Sequence, residues 1–125
     1  MILVDTSVWI DYLNGARNQY TDALDAGIVQ GKVAMGDLIF LEMLQGIRDE
    51  RGYRLTKQRL LTLDQLELFG KDMPEKCAEN YRALRNKDIT IHKTADVIIV
   101  SFCIEQTLPL LFTDRDFVPF VDYLG

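Results

Sequence analysis

Three acidic residues sit where a soluble protein rarely keeps an unassisted charge. Asp5 lies between Ile2-Leu3-Val4 and Val8-Trp9-Ile10; Glu42 interrupts Leu38-Ile39-Phe40-Leu41 and Met43-Leu44; Asp96 runs directly into Val97-Ile98-Ile99-Val100. A carboxylate inside an apolar segment must be ion-paired, hydrogen-bonded, bound to a metal or protonated, because an isolated buried charge is very costly. Asp114 closes the last apolar run, Leu110 to Phe112, much as Asp5 closes the first, and Asp116 follows two residues on.

Four carboxylates about 5 Å apart would repel by about 3 kcal/mol per pair at an effective dielectric near 20. Summed over the set, that is about 20 kcal/mol, at or above the stability of a typical domain. Convergence would therefore require a cation. With a single histidine in the chain, an all-oxygen donor set excludes most zinc-type sites and suits Mg²⁺ or Mn²⁺. Each acid also has a structural alternative. Asp5 or Asp114 is open to use as a helix N-cap, Asp96 as a partner of a helix dipole, and Glu42 as one half of an arginine salt bridge.

The elements that must place these residues follow from the hydrophobic pattern. Ile2 to Val4 reads as a strand buried on both faces, Thr6 to Leu13 as a short helix ended by Asn14-Gly15, and Asn18 to Val29 as a second helix stopping before Gly31. Val33 to Met35 reads as a strand, and Gly36-Asp37 as the turn and N-cap of a helix from Leu38 to about Arg48. Helices are expected over about 54–63 and 74–87, with Leu66 to Phe69 alternating like a strand between them. Thr94 is placed to cap a helix from Ala95 to about Gln106, ahead of a final strand, Leu110 to Phe112. Strands alternating with helices at this spacing predict an α/β fold, a mostly parallel sheet covered by helices on both faces. Ligand sites in such sheets gather beyond the C-terminal strand ends, where Asp5 and Asp114 fall.

The 125 residues, 48% hydrophobic and 26% charged, match one compact domain spanning 1–125. Cys77 and Cys103 have no metal-ligand spacing and read as buried thiols, so a disulfide scaffold or zinc ribbon is excluded. The first residues carry no basic stretch of a secretory signal, and no apolar run approaches the roughly 20 residues of a membrane span. A soluble, cytoplasmic protein is the expectation.

A net charge of −5 argues against indiscriminate nucleic-acid binding, but the charge is unevenly distributed. Residues 48–59 hold Arg48, Arg51, Arg54, Lys57 and Arg59 against two acids; residues 82–93 hold Arg82, Arg85, Lys87 and Lys93 against one. Two basic segments beside an acidic centre could draw in an RNA backbone, or could simply be solvated helix faces. Trp9, Tyr12 and Tyr53, at helical spacing, read as core or interface rather than as base-stacking platforms.

Four segments, ILVDTSVWID (2–11), LEMLQG (41–46), TADVIIVS (94–101) and LLFTDRDF (110–117), resemble in order and spacing the motifs of PIN-domain ribonucleases, above all the VapC-type toxins of VapBC toxin–antitoxin modules. The resemblance covers almost the whole chain. It implies a PIN-like three-layer α/β/α fold and a metal-dependent endoribonuclease. Asp5, Glu42, Asp96 and Asp114 would be catalytic, with Asp5, Asp96 and Asp114 holding Mg²⁺ or Mn²⁺. Thr6, Ser7, Thr113 and Asp116 would support them, and Arg48, Arg51, Arg54, Arg82, Arg85 and Lys93 would be the candidate RNA contacts. It further implies a homodimer inhibited by a small VapB-like antitoxin in a hetero-oligomer. The chain departs from the toxins just before its third acid, where His92 and Lys93 replace an arginine and a serine. His92 is open to a role as acid, base, phosphate contact or structural residue. Two other functions share these residues: a PIN-domain nuclease of RNA processing, and a non-catalytic module whose acidic pocket binds a basic peptide.

Overall fold

In a computed structural model, residues 1–91, 93–113 and 117–124 are described, the side chains of 122–124 excepted. Two compact units emerge, Met1–Glu67 with Pro109–Thr113, and Leu68–Leu108 with Asp114–Gly125.

The first unit carries the sheet. Its strands β1 (Ile2–Val4), β2 (Val33–Gly36), β3 (Asp64–Leu66) and β4 (Leu110–Leu111) pair wholly in parallel, in the order β3-β2-β1-β4. Leu3, Val4, Val33, Ala34 and Met35 are buried, as continuous apolar runs in a parallel sheet require. The edge strand β3 instead exposes Asp64 and Gln65. Successive strands step outward from β1 to β3, and the chain then returns to place β4 on the other side of β1. The strand order therefore reverses between β1 and β4, and a crevice at such a switch point is where open α/β sheets bind ligands.

Helices α1 (Thr6–Leu13), α2 (Gln19–Val29), α3 (Asp37–Gln45) and α4 (Glu50–Leu60) connect the strands. Gly27 lets α2 approach the sheet closely, since a Cβ there would stand 2.9 Å from Val33 Cγ2. The helix then stops in a Schellman arrangement: Gly31, at φ +67°, donates to the Ile28 carbonyl, and Lys32 donates to that of Gly27.

The second unit packs α5 (Met73–Arg85) against α6 (Thr94–Gln106) and α7 (Val118–Leu124). α6 buries an unbroken run from Asp96 to Ser101, so it is an interior helix rather than an amphipathic one. Asn80 Nδ2 donates to Ser101 Oγ at 2.8 Å, and Lys76 pairs with Glu105 at 2.7 Å at the margin of the same packing. Cys77 and Cys103 are buried free thiols.

The α/β class and the parallel sheet agree with the hydrophobic pattern, and several boundaries differ. α4 begins at Glu50, not Arg54, because the Asp49 carboxylate caps it by accepting from Gly52 N at 2.7 Å. α3 starts at Asp37 with Gly36 as its N-cap residue, and ends at Gln45, short of Arg48. α6 is preceded by Lys93, and Thr94 is its first residue rather than its cap. β3 occupies Asp64–Leu66 instead of 66–69. α7 has no counterpart in the expected elements, although Pro119 in its first turn is compatible with a helix start.

Candidate active site at the strand-order reversal

Asp5 follows β1 and is the N-cap of α1, with extended backbone angles of φ −67° and ψ 154°. Its backbone N–H donates to the Leu111 carbonyl at 2.9 Å, which ties it to β4. The residue is only 4% exposed. Its Oδ2 accepts from the Ser7 hydroxyl at 2.7 Å and from the Ser7 backbone N–H at 3.3 Å. Among the described residues, Oδ1 accepts no hydrogen bond and no basic side chain pairs with Asp5. Capping alone therefore accounts for one oxygen of this buried carboxylate, and among the described residues no Lys or Arg neutralises its charge.

The remaining polar groups form an oxygen-only frame. Ser7 Oγ lies 3.2 Å from Thr113 Oγ1, two residues beyond β4. Thr6, the first residue of α1, donates its hydroxyl to Glu42 Oε1 at 3.1 Å. Glu42 belongs to α3, whose packing against α1 brings that carboxylate to the head of α1. Asp5, Thr6, Ser7, Glu42 and Thr113 are thus gathered in the first unit, at the C-terminal ends of β1 and β4.

Asp96 lies in the second unit, in the first turn of α6, and is 6% exposed. That turn favours an anion through the exposed N–H groups of the helix start. Asp114, Asp116 and His92 fall outside the described residues. Among the described residues no group of three or more His, Cys, Asp or Glu assembles into a metal cage. The oxygen donors in the first unit nonetheless match a hard divalent cation: a buried carboxylate with one oxygen left open, and hydroxyl and carboxylate oxygens around it.

Arg48, Arg51 and Arg54 are exposed at and along α4, Arg82 and Arg85 along α5, and Lys93 just before α6. Arg85 lies over the Tyr81 ring at 5.7 Å, and Lys57 over Tyr53 at 5.9 Å. Trp9 is 2% exposed and meets Tyr12 edge-on at 6.2 Å, as expected of core rather than of a base-stacking platform. One arrangement had no signal in the sequence. Trp9, Tyr12, Ile28, Arg59 and Leu63 from α1, α2 and the end of α4 line an apolar pocket of about 300 Å³, and beside it the Tyr12 hydroxyl donates to Asp25 Oδ1 at 2.6 Å.

The PIN domain family matches residues 2–120, which take in the whole parallel sheet and the residues gathered at its strand-order reversal; the chain belongs to the PIN domain family. Within it, the chain is 26% identical over 119 residues to ribonuclease VapC11 of Mycobacterium tuberculosis and to a VapC ribonuclease of Mycobacterium bovis, covering 94% of this chain and 89% of each relative. Its fold is similar to that of a toxin–antitoxin complex from Klebsiella pneumoniae (TM-score 0.68, 23% identity, 94% of this chain and 90% of that one). It is also similar to FitAcB from Neisseria gonorrhoeae (TM-score 0.71, 19% identity, 97% and 91%). VapBC2 from Rickettsia felis, bound to a DNA fragment from its promoter, superposes with a TM-score of 0.72 at 17% identity over 94% and 91%. Among the described residues no helix is long and apolar enough to cross a membrane.

Proposed function

We propose that the chain is a metal-dependent endoribonuclease toxin, inhibited by a small VapB-like antitoxin. The observation that carries this reading is the buried Asp5 carboxylate, held at the strand-order reversal with one oxygen committed to Ser7 and the other open. The 26% identity to VapC ribonucleases along nearly the whole chain supports it. Both compact units act as one nuclease domain, a reading supported by the family match across 2–120.

Asp5, Asp96 and Asp114 would hold Mg²⁺ or Mn²⁺, with Asp116 beside them. When bound, that cation supplies Lewis-acid charge for the scissile phosphate and lowers the pKa of a water. The protein groups do the rest. Glu42, its Oε1 held by the Thr6 hydroxyl, accepts the proton of the attacking water. Ser7 and Thr113 keep Asp5 in place. Arg48, Arg51 and Arg54, with Arg82, Arg85 and Lys93, contact phosphates flanking the cut. Because water rather than the ribose 2′-hydroxyl attacks, the products carry a 5′-phosphate and a 3′-hydroxyl.

The partners are RNA and the antitoxin, in the cytoplasm, with the toxin as a homodimer within a hetero-oligomer. The apolar pocket of α1, α2 and α4 offers the antitoxin an anchoring surface, and a basic antitoxin segment in the acidic centre would inhibit.

The deciding experiment is RNA cleavage by partner-free protein with Mg²⁺ or Mn²⁺, against EDTA and Asp5→Asn controls, with analysis of the product ends. Cleavage that needs both metal and Asp5 and leaves 5′-phosphates is the expected result. A 2′,3′-cyclic phosphate, or a folded protein that cuts no RNA in folded and single-stranded panels, overturns it.

A further inference from the structure

Resting on the metal-dependent reading above, we propose that Ser7 and Thr113 turn Asp5 into a one-oxygen ligand and thereby set the site's preference for a small divalent cation over Ca²⁺. The relay has a single direction. A carboxylate only accepts hydrogen bonds, so at 2.7 Å the one proton of the Ser7 hydroxyl is committed to Asp5 Oδ2. Ser7 Oγ can then only accept across its 3.2 Å contact with Thr113, whose hydroxyl is therefore the donor. The order is Thr113 to Ser7 to Asp5, joining residues 106 positions apart in the chain.

The consequence for Asp5 is an inequality between its two oxygens. Oδ2 receives both the hydroxyl and the backbone N–H of Ser7, which uses the roughly two acceptor directions of one carboxylate oxygen. Oδ1 receives neither. Rotating the carboxylate to present both oxygens to one ion would break both of these bonds. The backbone cannot follow easily, because Asp5 N–H is bonded to Leu111 O and the residue is buried.

Cation size is sensitive to such a lock. Ca²⁺ gathers more oxygens and readily takes a carboxylate through both, whereas Mg²⁺ demands near-octahedral geometry and is usually bound through one oxygen of each carboxylate. A hydroxyl chain that withholds Oδ2 therefore disfavours the larger ion without touching either.

The test is calorimetric titration of the full partner-free chain with Mn²⁺ and with Ca²⁺, without RNA, on wild type, Ser7→Ala, Thr113→Val and Thr113→Ser. Wild type is expected to bind Mn²⁺ at least about tenfold tighter than Ca²⁺. Ser7→Ala and Thr113→Val should shrink that ratio to about a third or less, while Thr113→Ser, which keeps the donor, retains it. Thr113→Val preserves the branched shape and serves as the probe if Ser7→Ala fails to fold. A ratio unmoved in the folded variants overturns the relay while leaving the nuclease reading intact. A wild type that binds neither ion overturns the metal-dependent reading and the relay with it.

Discussion

The Thr6 hydroxyl donates to Glu42 Oε1 at 3.1 Å, linking the first residue of α1 to a carboxylate 36 positions away on α3. The bond ties a carboxylate set among the apolar residues of α3 to the head of α1, one residue after Asp5. If Glu42 carries the proton, Thr6 only holds that carboxylate in position.

Glu42→Gln should therefore abolish hydrolysis with RNA binding retained. Thr6→Val, which keeps the shape and loses the donor, should lower kcat about tenfold with KM nearly unchanged, the scale of one hydrogen bond to a charged group. Steady-state kinetics on a short RNA, with the melting temperature as a folding control, checks both. A Thr6→Val enzyme with wild-type kcat would remove Thr6 from the mechanism.

The exposed arginines of α4 supply a second prediction. If Arg51 and Arg54 contact phosphates, replacing both with Ala should reduce the slope of log affinity against log salt by about 2. Binding of an uncleavable RNA to Asp5→Asn protein, titrated at several salt concentrations, measures that slope. An unchanged slope would assign these residues to a merely solvated helix face.

Two helix ends form the same hydrogen-bonded arrangement with different residues in the left-handed position. After α2 it is Gly31 at φ +67°; after α6 it is Thr107 at φ +51°, with Leu108 N–H donating to the Cys103 carbonyl at 2.8 Å. A Cβ is disfavoured there, and a β-branched one more so. Gly31→Ala should cost about 1 kcal/mol, and Thr107→Gly should raise stability by about 1 kcal/mol. Chemical denaturation of the two variants decides the signs.

Burial pushes the Cys103 thiol up from its ordinary 9.0 to about 12. Between those values the unfolded chain loses the proton that the folded protein keeps. Its contribution is thus fully present below about pH 9 and is lost as pH rises towards 12. By pH 10 this one group should have cost about 1.4 kcal/mol. The drop in denaturation midpoint from pH 8 to pH 10 should accordingly be smaller in Cys103→Ala than in wild type. Equal drops would mean that the thiol does not titrate differently in the two states.

The α/β class, the buried strands at 2–4 and 33–35, and the acids in apolar surroundings were all legible in the residue pattern. Each of these is a local pattern: an unbroken apolar run can only be buried, and a carboxylate within one demands compensation. Where the pattern weakened, so did the reading. The short edge strand at Asp64 and Gln65 has no apolar run to announce it, and α4 is so polar that only the Asp49 cap marks its start. What compensates Asp5 and Glu42, by contrast, becomes visible only in the fold. The parallel pairing of β1 with β4 brings Thr113 to Ser7 and so leaves Asp5 with one open oxygen, while the packing of α3 on α1 delivers Thr6 to Glu42. Those are contacts between residues 36 and 106 positions apart. No periodicity encodes them, because they arise from strand order and helix packing rather than from any residue's neighbours in the chain.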